Sequence, residues 1–253
     1  MTAGDASPDD DRLTRRELGG LAALAGGALL LGGRDAAAQD ANPAAAPALA
    51  GQHTALPLPF DPKKLKGLSE RLLVSHHDNN YAGAVRNLNA VEQQLARTDK
   101  DTPGFVLFGL QERALLFRNS KVLHELYFAN LGGDGKSGGA AQELLGRQYG
   151  TFGRFEEFFR ATAMSMAGGS GWAVLAWDAS SGAPFVYAAA DHTRAIPAGI
   201  PLLVLDMYEH SYHMDFGAAA ARYVEAFFQN LRWGEVNRRL ERARAATAAL
   251  RKT

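Results

Sequence analysis

The 253-residue sequence has no cysteine. That absence excludes disulfides, thiolate zinc sites, iron–sulfur ligation and cysteine nucleophiles together. Surplus charge is also missing, since 27 Lys plus Arg balance 27 Asp plus Glu. Without a basic excess there is no general phosphate-binding surface, so nucleic acid is not an expected partner. A local positive field able to steer a small anion remains compatible with zero net charge. Internal repeats are absent. The apolar stretch Leu18 to Gly33 is too short and too rich in Gly and Ala for a good membrane span.

What is present begins as an export signal over residues 1–38. Thr14-Arg15-Arg16 precedes the weakly apolar stretch, and Ala36-Ala37-Ala38 offers a small-residue cleavage site before Gln39. The paired arginines resemble the twin-arginine type of bacterial signal, with Leu18 where that motif prefers Phe. Such a signal implies an exported protein, periplasmic or extracellular, with no membrane contact in its mature form. Residues 39–55, rich in Ala and Pro, read as a linker.

From Leu56 the hydrophobic pattern becomes structured. Pro62 suits a first helical turn, and Leu65, Leu68, Leu72 and Leu73 follow at helical spacing. A second helix is expected from Tyr81 to Ala96 and a third from Val106 to Leu131, ending at Gly132-Gly133. Together these predict an N-terminal antiparallel α-hairpin domain over 56–134. Gly135 to Gly139 marks a flexible junction. Beyond it, helices 140–149 and 154–167 lead to strands at 172–178, 185–191 and 200–206, then helices at 217–231 and 233–246. The expected class is α+β, with a C-terminal domain (135–253) whose three-stranded antiparallel sheet is flanked by helices.

The run IPLLVLDMYEHSYHMDF carries the chemistry. A buried strand delivers Asp206 to a sheet end, and His210 follows four residues later. A carboxylate and an imidazole on adjacent backbone make half of a four-ligand metal site. His76, late in the first helix, and His124, in the middle of the third, supply the other half if those helices face each other. Three imidazoles and one carboxylate suit Mn, Fe or Zn and lack the softness copper(I) prefers. Each residue also has a plainer reading. A helical histidine beside apolar residues is commonly a packed one, and Asp206 alone fits a helix N-cap. His53 and His77 are left as solvent-facing or supporting residues.

The ordered segments LPLPF (56–60), HH (76–77) with AVRNLNAVE (84–92), HELYFANL (124–131), FEEFFRATAMSMAGGSGWAVLAW (155–177), DMYEHSYHMDF (206–216) and YVEAFFQNLRWGEV (223–236) resemble the iron/manganese superoxide dismutases. The resemblance spans about residues 56–242. It implies one Mn or Fe ion per subunit held by His76, His124, Asp206 and His210. The implied reaction turns superoxide into dioxygen and hydrogen peroxide, and the implied assembly is a homodimer or tetramer. His192 stands where many members place a Gln beside the metal's solvent. Ser120 stands where iron members project a Gln, so the pair leans toward manganese or toward tolerance of both metals. Trp172 and Tyr208 match aromatic residues walling the metal cavity, Tyr208 replacing a Trp. Glu209 matches a residue reaching across the dimer toward the partner's metal-binding histidine.

The family's gateway is altered in this chain. The helix-borne His and Tyr four and eight residues beyond the first ligand are here Asn80 and Ala84. Tyr81, five residues from His76, is not expected on the same α-helical face. His213 holds the place of the Tyr that pairs across the dimer with the missing His, so Asn80 and His213 form a candidate swapped pair. Two other functions compete with dismutation. One is a superoxide-dismutase-like metal-binding protein with weak or no catalysis, which Asn80 and Ala84 favour. The other is a zinc hydrolase, for which only Glu209 and Glu125 stand near the ligands as bases.

Overall fold

The structure is a computed structural model that describes residues 46–251. The export-signal reading, and the first part of the linker, lie outside the described residues. Among the described residues, no helix is long and apolar enough to cross a membrane.

Helix α1 (Glu70–Ser75) begins later than leucine spacing suggests. Pro62–Lys64 forms only a short 3-10 turn, started by Asp61, whose side chain accepts from Lys63 N–H. Asn230 then captures both the N–H and the C=O of Lys66, at 2.8 and 2.7 Å. With its backbone bound elsewhere, that stretch cannot join a helix ladder. Ser69 supplies the N-cap, its hydroxyl accepting from Leu72 N–H at 3.0 Å. Asp215 pins the cap by accepting from Ser69 N–H and Oγ–H, both at 2.7 Å.

The first and second expected helices are one continuous rod. His76–Tyr81 continues α1 as a π-helical turn, and α2 (Ala82–Leu95) continues that turn. The wider i→i+5 bonds, such as Ala82 N–H to His77 O, absorb one extra residue without a break. Helix α3 (Gly104–Asn130) returns against this rod, so the hairpin has two arms rather than three helices.

Helices α4 (Gly139–Tyr149) and α5 (Phe152–Met164) follow, the latter capped by Thr151 Oγ1 accepting from Arg154 N–H at 3.1 Å. Strands β1 (Trp172–Asp178), β2 (Ala183–Ala189) and β3 (Gly199–Asp206) form an antiparallel sheet in the order β2-β1-β3. Gly171 opens β1 at φ +154°, where a Cβ would crowd Met166 and the Ala189 carbonyl. β2 ends two residues before the expected Asp191. That carboxylate instead accepts from Thr193 N–H at 2.7 Å, an Asx turn that ends the ladder. Helices α6 (His213–Phe216), α7 (Ala220–Gln229) and α8 (Trp233–Leu250) complete the chain.

Buried residues from both sides of the loop near residue 134 join one hydrophobic core, including Tyr81, Tyr127, Phe155, Trp172 and Phe227. Central strand β1 is buried along nearly its whole length, as a continuous apolar run predicts. A polar clamp inside this core fixes α3 against β3. Asn130 Oδ1 accepts from Val204 N–H at 3.1 Å and from Arg239 at 3.1 Å. Arg239 also donates to the carbonyls of Leu202 and Leu126, each at 3.1 Å, while Glu235 balances its charge. The clamp thus sets the spacing of the two elements that carry His124 and Asp206.

Candidate metal centre

Four side chains converge where the rod, α3 and the end of β3 meet. His76 starts the π turn, His124 lies on α3, Asp206 is the last residue of β3, and His210 sits in the 3-10 turn Glu209–Ser211. One potential ligand atom from each lies within 4.8 Å of the others. Asp206 Oδ2 is 3.1 Å from His76 Nε2, 3.3 Å from His210 Nε2 and 3.6 Å from His124 Nε2.

Local bonds aim each group. Tyr208 N–H donates to Asp206 Oδ1 at 2.8 Å, leaving Oδ2 for the imidazoles. The Asp206 carbonyl accepts from the Tyr223 hydroxyl at 2.8 Å, and that hydroxyl lies 3.1 Å from the Tyr127 hydroxyl. His124 Nδ1–H donates to the Ser120 carbonyl one helical turn back at 2.7 Å, which turns its Nε2 lone pair inward. Ser120 therefore acts here through its backbone, since its hydroxyl is 3.4 Å from the same nitrogen.

The Nε2 atoms of His76 and His124 are buried with no hydrogen-bond partner. Orphaned buried polar atoms are rare and costly, and two facing one carboxylate oxygen are the donor set of a metal site. The electrostatics agree. Burial, opposed only in part by Asp206, lowers the pKa of His76. Burial, with the neighbouring His76, takes His124 down to about 3. Burial alone disfavours an ionised Asp206, but the neighbouring His210 and His76 outweigh it and hold its carboxyl far below the carboxylate range. Two neutral imidazoles and an anion are the protonation states that bind a cation.

An aromatic ladder stands beside the ligands. Tyr208 stacks between His210, at 5.3 Å and 18°, and His192, at 4.8 Å and 13°. Trp172, buried at the start of β1, donates its indole N–H to His192 Nδ1 at 2.9 Å. That bond places the proton of a neutral His192 on Nε2. Burial lowers the His192 pKa and, with the Asp206 charge, raises the Tyr208 hydroxyl to about 12. His192, Trp172 and Tyr208 are thus gathered at the cluster.

The expected gateway residues lie differently. Asn80 is partly buried, Glu209 and His213 are exposed, and Ala84 is buried. Among the described residues, the side chains of Asn80, Glu209 and His213 make no hydrogen bond or ion pair. Tyr81 is the residue that α-helical spacing misplaces. The π turn brings its ring 6.2 Å from that of His124. Its hydroxyl donates to Glu125 at 2.8 Å and accepts from Leu56 N–H at 2.8 Å. The only advance sign was its five-residue offset from His76, which is the π-helical spacing. His53 and His77 are held within the chain: His53 Nε2 lies 3.0 Å from the buried Glu92 carboxylate, and His77 bridges the Leu56 carbonyl and Asp78.

Comparison with known proteins agrees with this geometry. Residues 137–239 match the profile of the iron/manganese superoxide dismutases, C-terminal domain. A "Superoxide dismutase [Fe]" of Cupriavidus metallidurans is 47% identical over 70% of this chain and 90% of its own length. A "Superoxide dismutase [Fe]" of Saccharolobus solfataricus is 33% identical over 74% of this chain and 92% of its own. "Superoxide dismutase [Mn] 1" of Halobacterium salinarum is 31% identical over 74% and 94% respectively. With this extent of likeness to relatives of both metal types, the chain belongs to the iron/manganese superoxide dismutase family.

Proposed function

We propose that the protein is an exported superoxide dismutase that works with one iron or manganese ion per subunit. The observation that carries this reading is the pair of orphaned Nε2 atoms, on His76 and His124, facing Asp206 Oδ2 with His210. Once bound there, the ion supplies one-electron chemistry by alternating between its +3 and +2 states. Two superoxide radicals and two protons become dioxygen and hydrogen peroxide, with one electron passing between the radicals.

The chain's own residues hold and tune the ligands. Asp206 contributes the site's fixed negative charge, which favours the higher oxidation state. The Ser120 carbonyl fixes the tautomer of His124. Trp172 fixes His192 with Nε2–H as its donor, in the place where the family commonly uses a Gln amide. Hydrogen bonds at this distance from the ligands are the lever by which a protein adjusts a metal's potential. Ala84 offers no hydroxyl at the gateway, so proton delivery there falls to water. Turnover is expected to saturate at lower superoxide, or to be inhibited differently by peroxide, than in relatives with the gateway Tyr.

Arg15 and Arg16 before Leu18–Gly33, with Ala36–Ala38, support twin-arginine export to the periplasm. The exposed, unpaired Glu209 and His213 support a homodimer in which they face a second subunit. The deciding experiment measures iron, manganese and zinc in protein purified from its own host, alongside superoxide consumption. Iron or manganese with dismutation is expected. Tight metal retention without dismutation selects the non-catalytic binding protein, and zinc as the resident metal overturns the redox reading. Arg15→Lys with Arg16→Lys is expected to keep the protein in the cytoplasmic fraction.

A further inference from the structure

A cavity of about 170 Å³ lies between α3, the sheet and the loop that joins β2 to β3. Its apolar wall includes Leu123 of α3 and Val174 of β1, and its polar lining is Asn119, Tyr187, His192 and Arg194. The loop over it is pinned at three points. Thr193 N–H donates to Asp191 at 2.7 Å, Gly199 N–H to the Ile196 carbonyl at 3.0 Å, and Ala179 N–H to the Ala198 carbonyl at 3.0 Å. Among the described residues, the side chains of Asn119 and Tyr187 make no hydrogen bond. Burial raises the Tyr187 pKa, and no hydrogen bond replaces the water its hydroxyl has lost. Arg194, exposed at the rim, donates from Nε to Asp191 at 3.1 Å, which leaves its other guanidinium N–H groups uncommitted. Unfilled polar groups converging on an apolar wall are what a small-molecule site presents.

We propose that this cavity binds a small organic monocarboxylate and that the bound acid acts on the metal centre through His192. Size sets the first limit. A dry cavity of ~150 Å³ holds one benzene, so the space here suits a body of one ring or a short branched chain. Polarity sets the second. An inorganic anion would leave the apolar wall unused, and a plain hydrocarbon would leave the four polar groups unpaired. A carboxylate head matches the planar fork of Arg194, with the Asn119 amide and the Tyr187 hydroxyl as further donors. Asp191 does not compete for the same role, since it is an acceptor already filled by Thr193 N–H, Thr193 Oγ1–H and Arg194 Nε–H. His192 ties the cavity to the metal centre. It lines the cavity, accepts from the Trp172 indole at 2.9 Å, and stacks on Tyr208, which stacks in turn on His210. Binding itself stands without the metal reading; only its effect on turnover rests on that reading.

Benzoate is the probe, with benzamide as its uncharged twin. Calorimetry on the full chain, metal-loaded and metal-stripped, is expected to show one benzoate site with Kd on the order of 1 mM or tighter, and benzamide at least ~10-fold weaker. Arg194→Gln is expected to weaken benzoate by ~5-fold or more while metal content stays unchanged. Benzoate should also move the His192 ring-nitrogen signals of the metal-stripped protein and alter turnover of the loaded protein, both with the half-saturation that calorimetry gives. No benzoate binding, or equal binding of benzamide, overturns the carboxylate site. Benzoate affinity unchanged by Arg194→Gln overturns its placement in this cavity, because an acid held at the metal entrance behaves that way. Binding that leaves the His192 signals unmoved overturns the link to the metal centre. Binding of this kind to a protein that never dismutates supports the cavity and overturns only the functional reading.

Discussion

The floor of the metal centre and its entrance are built in different ways. On the floor, Asp206 is held through Oδ1, through its carbonyl and through the strand behind it, and His124 is locked to the Ser120 carbonyl. Asn80, Glu209 and His213, the residues expected at the entrance, have no side-chain partner among the described residues. A group held several ways within one chain does its work before assembly. One held by nothing is free to meet a second subunit, as in the homodimer proposed above. The contrast teaches that metal capture belongs to the single chain, and in that proposed homodimer access would belong to the assembly.

The largest effect is expected from striking the floor. Asp206→Ala removes the only anion and leaves three imidazoles with no counter-charge. Metal content measured on the purified protein is expected to fall below about a tenth of an ion per chain, and dismutation by at least about 100-fold, since even residues that merely support ligands cost 10–100-fold. Retention of a full complement of metal sinks the assignment of Asp206 as a ligand. Withdrawing the ion itself from the intact protein tests the same floor more gently. Binding to the folded state alone stabilises by about 4 kcal/mol at a thousandfold excess over Kd. Chelation is therefore expected to lower Tm by several degrees, reversed by iron or manganese and not by magnesium, whose ligand preference is oxygen.

Acid should expose the floor's charge design. Burial depresses His124 to about 3 and lowers His76 as well. The unfolded chain takes up those protons near pH 6.5 while the fold refuses them, so stability is present above that pH and declines below it. The decline is about 1.4 kcal/mol per pH unit for each proton involved. Asp206, depressed in the fold, adds a further loss once the unfolded carboxyl protonates near pH 4. Denaturant titrations of the metal-free protein between pH 7 and pH 5 measure this, and His124→Gln should flatten the slope. An equal slope in that variant shows that other groups carry the pH dependence.

A lesser effect is expected midway between floor and entrance. Trp172→Phe keeps the wall but removes the donor to His192 Nδ1. Metal content should stay unchanged while turnover falls by about 10-fold, the lower range for an outer hydrogen bond. Nitrogen NMR of the His192 ring should show the Nε2–H tautomer in the parent protein and a mixture in the variant.

The floor was also the legible part of the sequence. Asp206 and His210 are four residues apart at the end of an apolar strand, and their spacing survives any error in helix boundaries. His124 sits in a helix whose apolar pattern is unbroken, so its placement followed. The rod is not legible in the sequence because leucine spacing says nothing about backbone groups captured from afar, as Asn230 captures Lys66. Tyr81 escapes the pattern for a related reason: α-helical periodicity does not hold across a π turn, and one extra residue rotates everything after it. Arg239 and Asn130, which hold α3 to β3, carry no local pattern at all. The partners that fix the two elements, Val204, Leu202, Leu126 and each other, lie 37 to 113 residues away in sequence.

The smallest effect concerns the entrance, and it sharpens the contrast most. If Asn80 of one subunit and His213 of another exchange the roles of donor and acceptor, their side chains are free in one chain and joined in the assembly. Asn80→Ala and His213→Ala should then each reduce turnover modestly, and the double variant should be less impaired than the sum. A coupling of about 0.5–1 kcal/mol is the expected scale for residues sharing one hydrogen bond. Metal content should be equal in all four proteins, because the floor does not depend on this pair. Strict additivity means the two residues act apart, and the entrance is then assembled from other groups. Coupling that survives in an engineered monomer means the pair is closed within one chain, which erases the distinction between floor and entrance at this point.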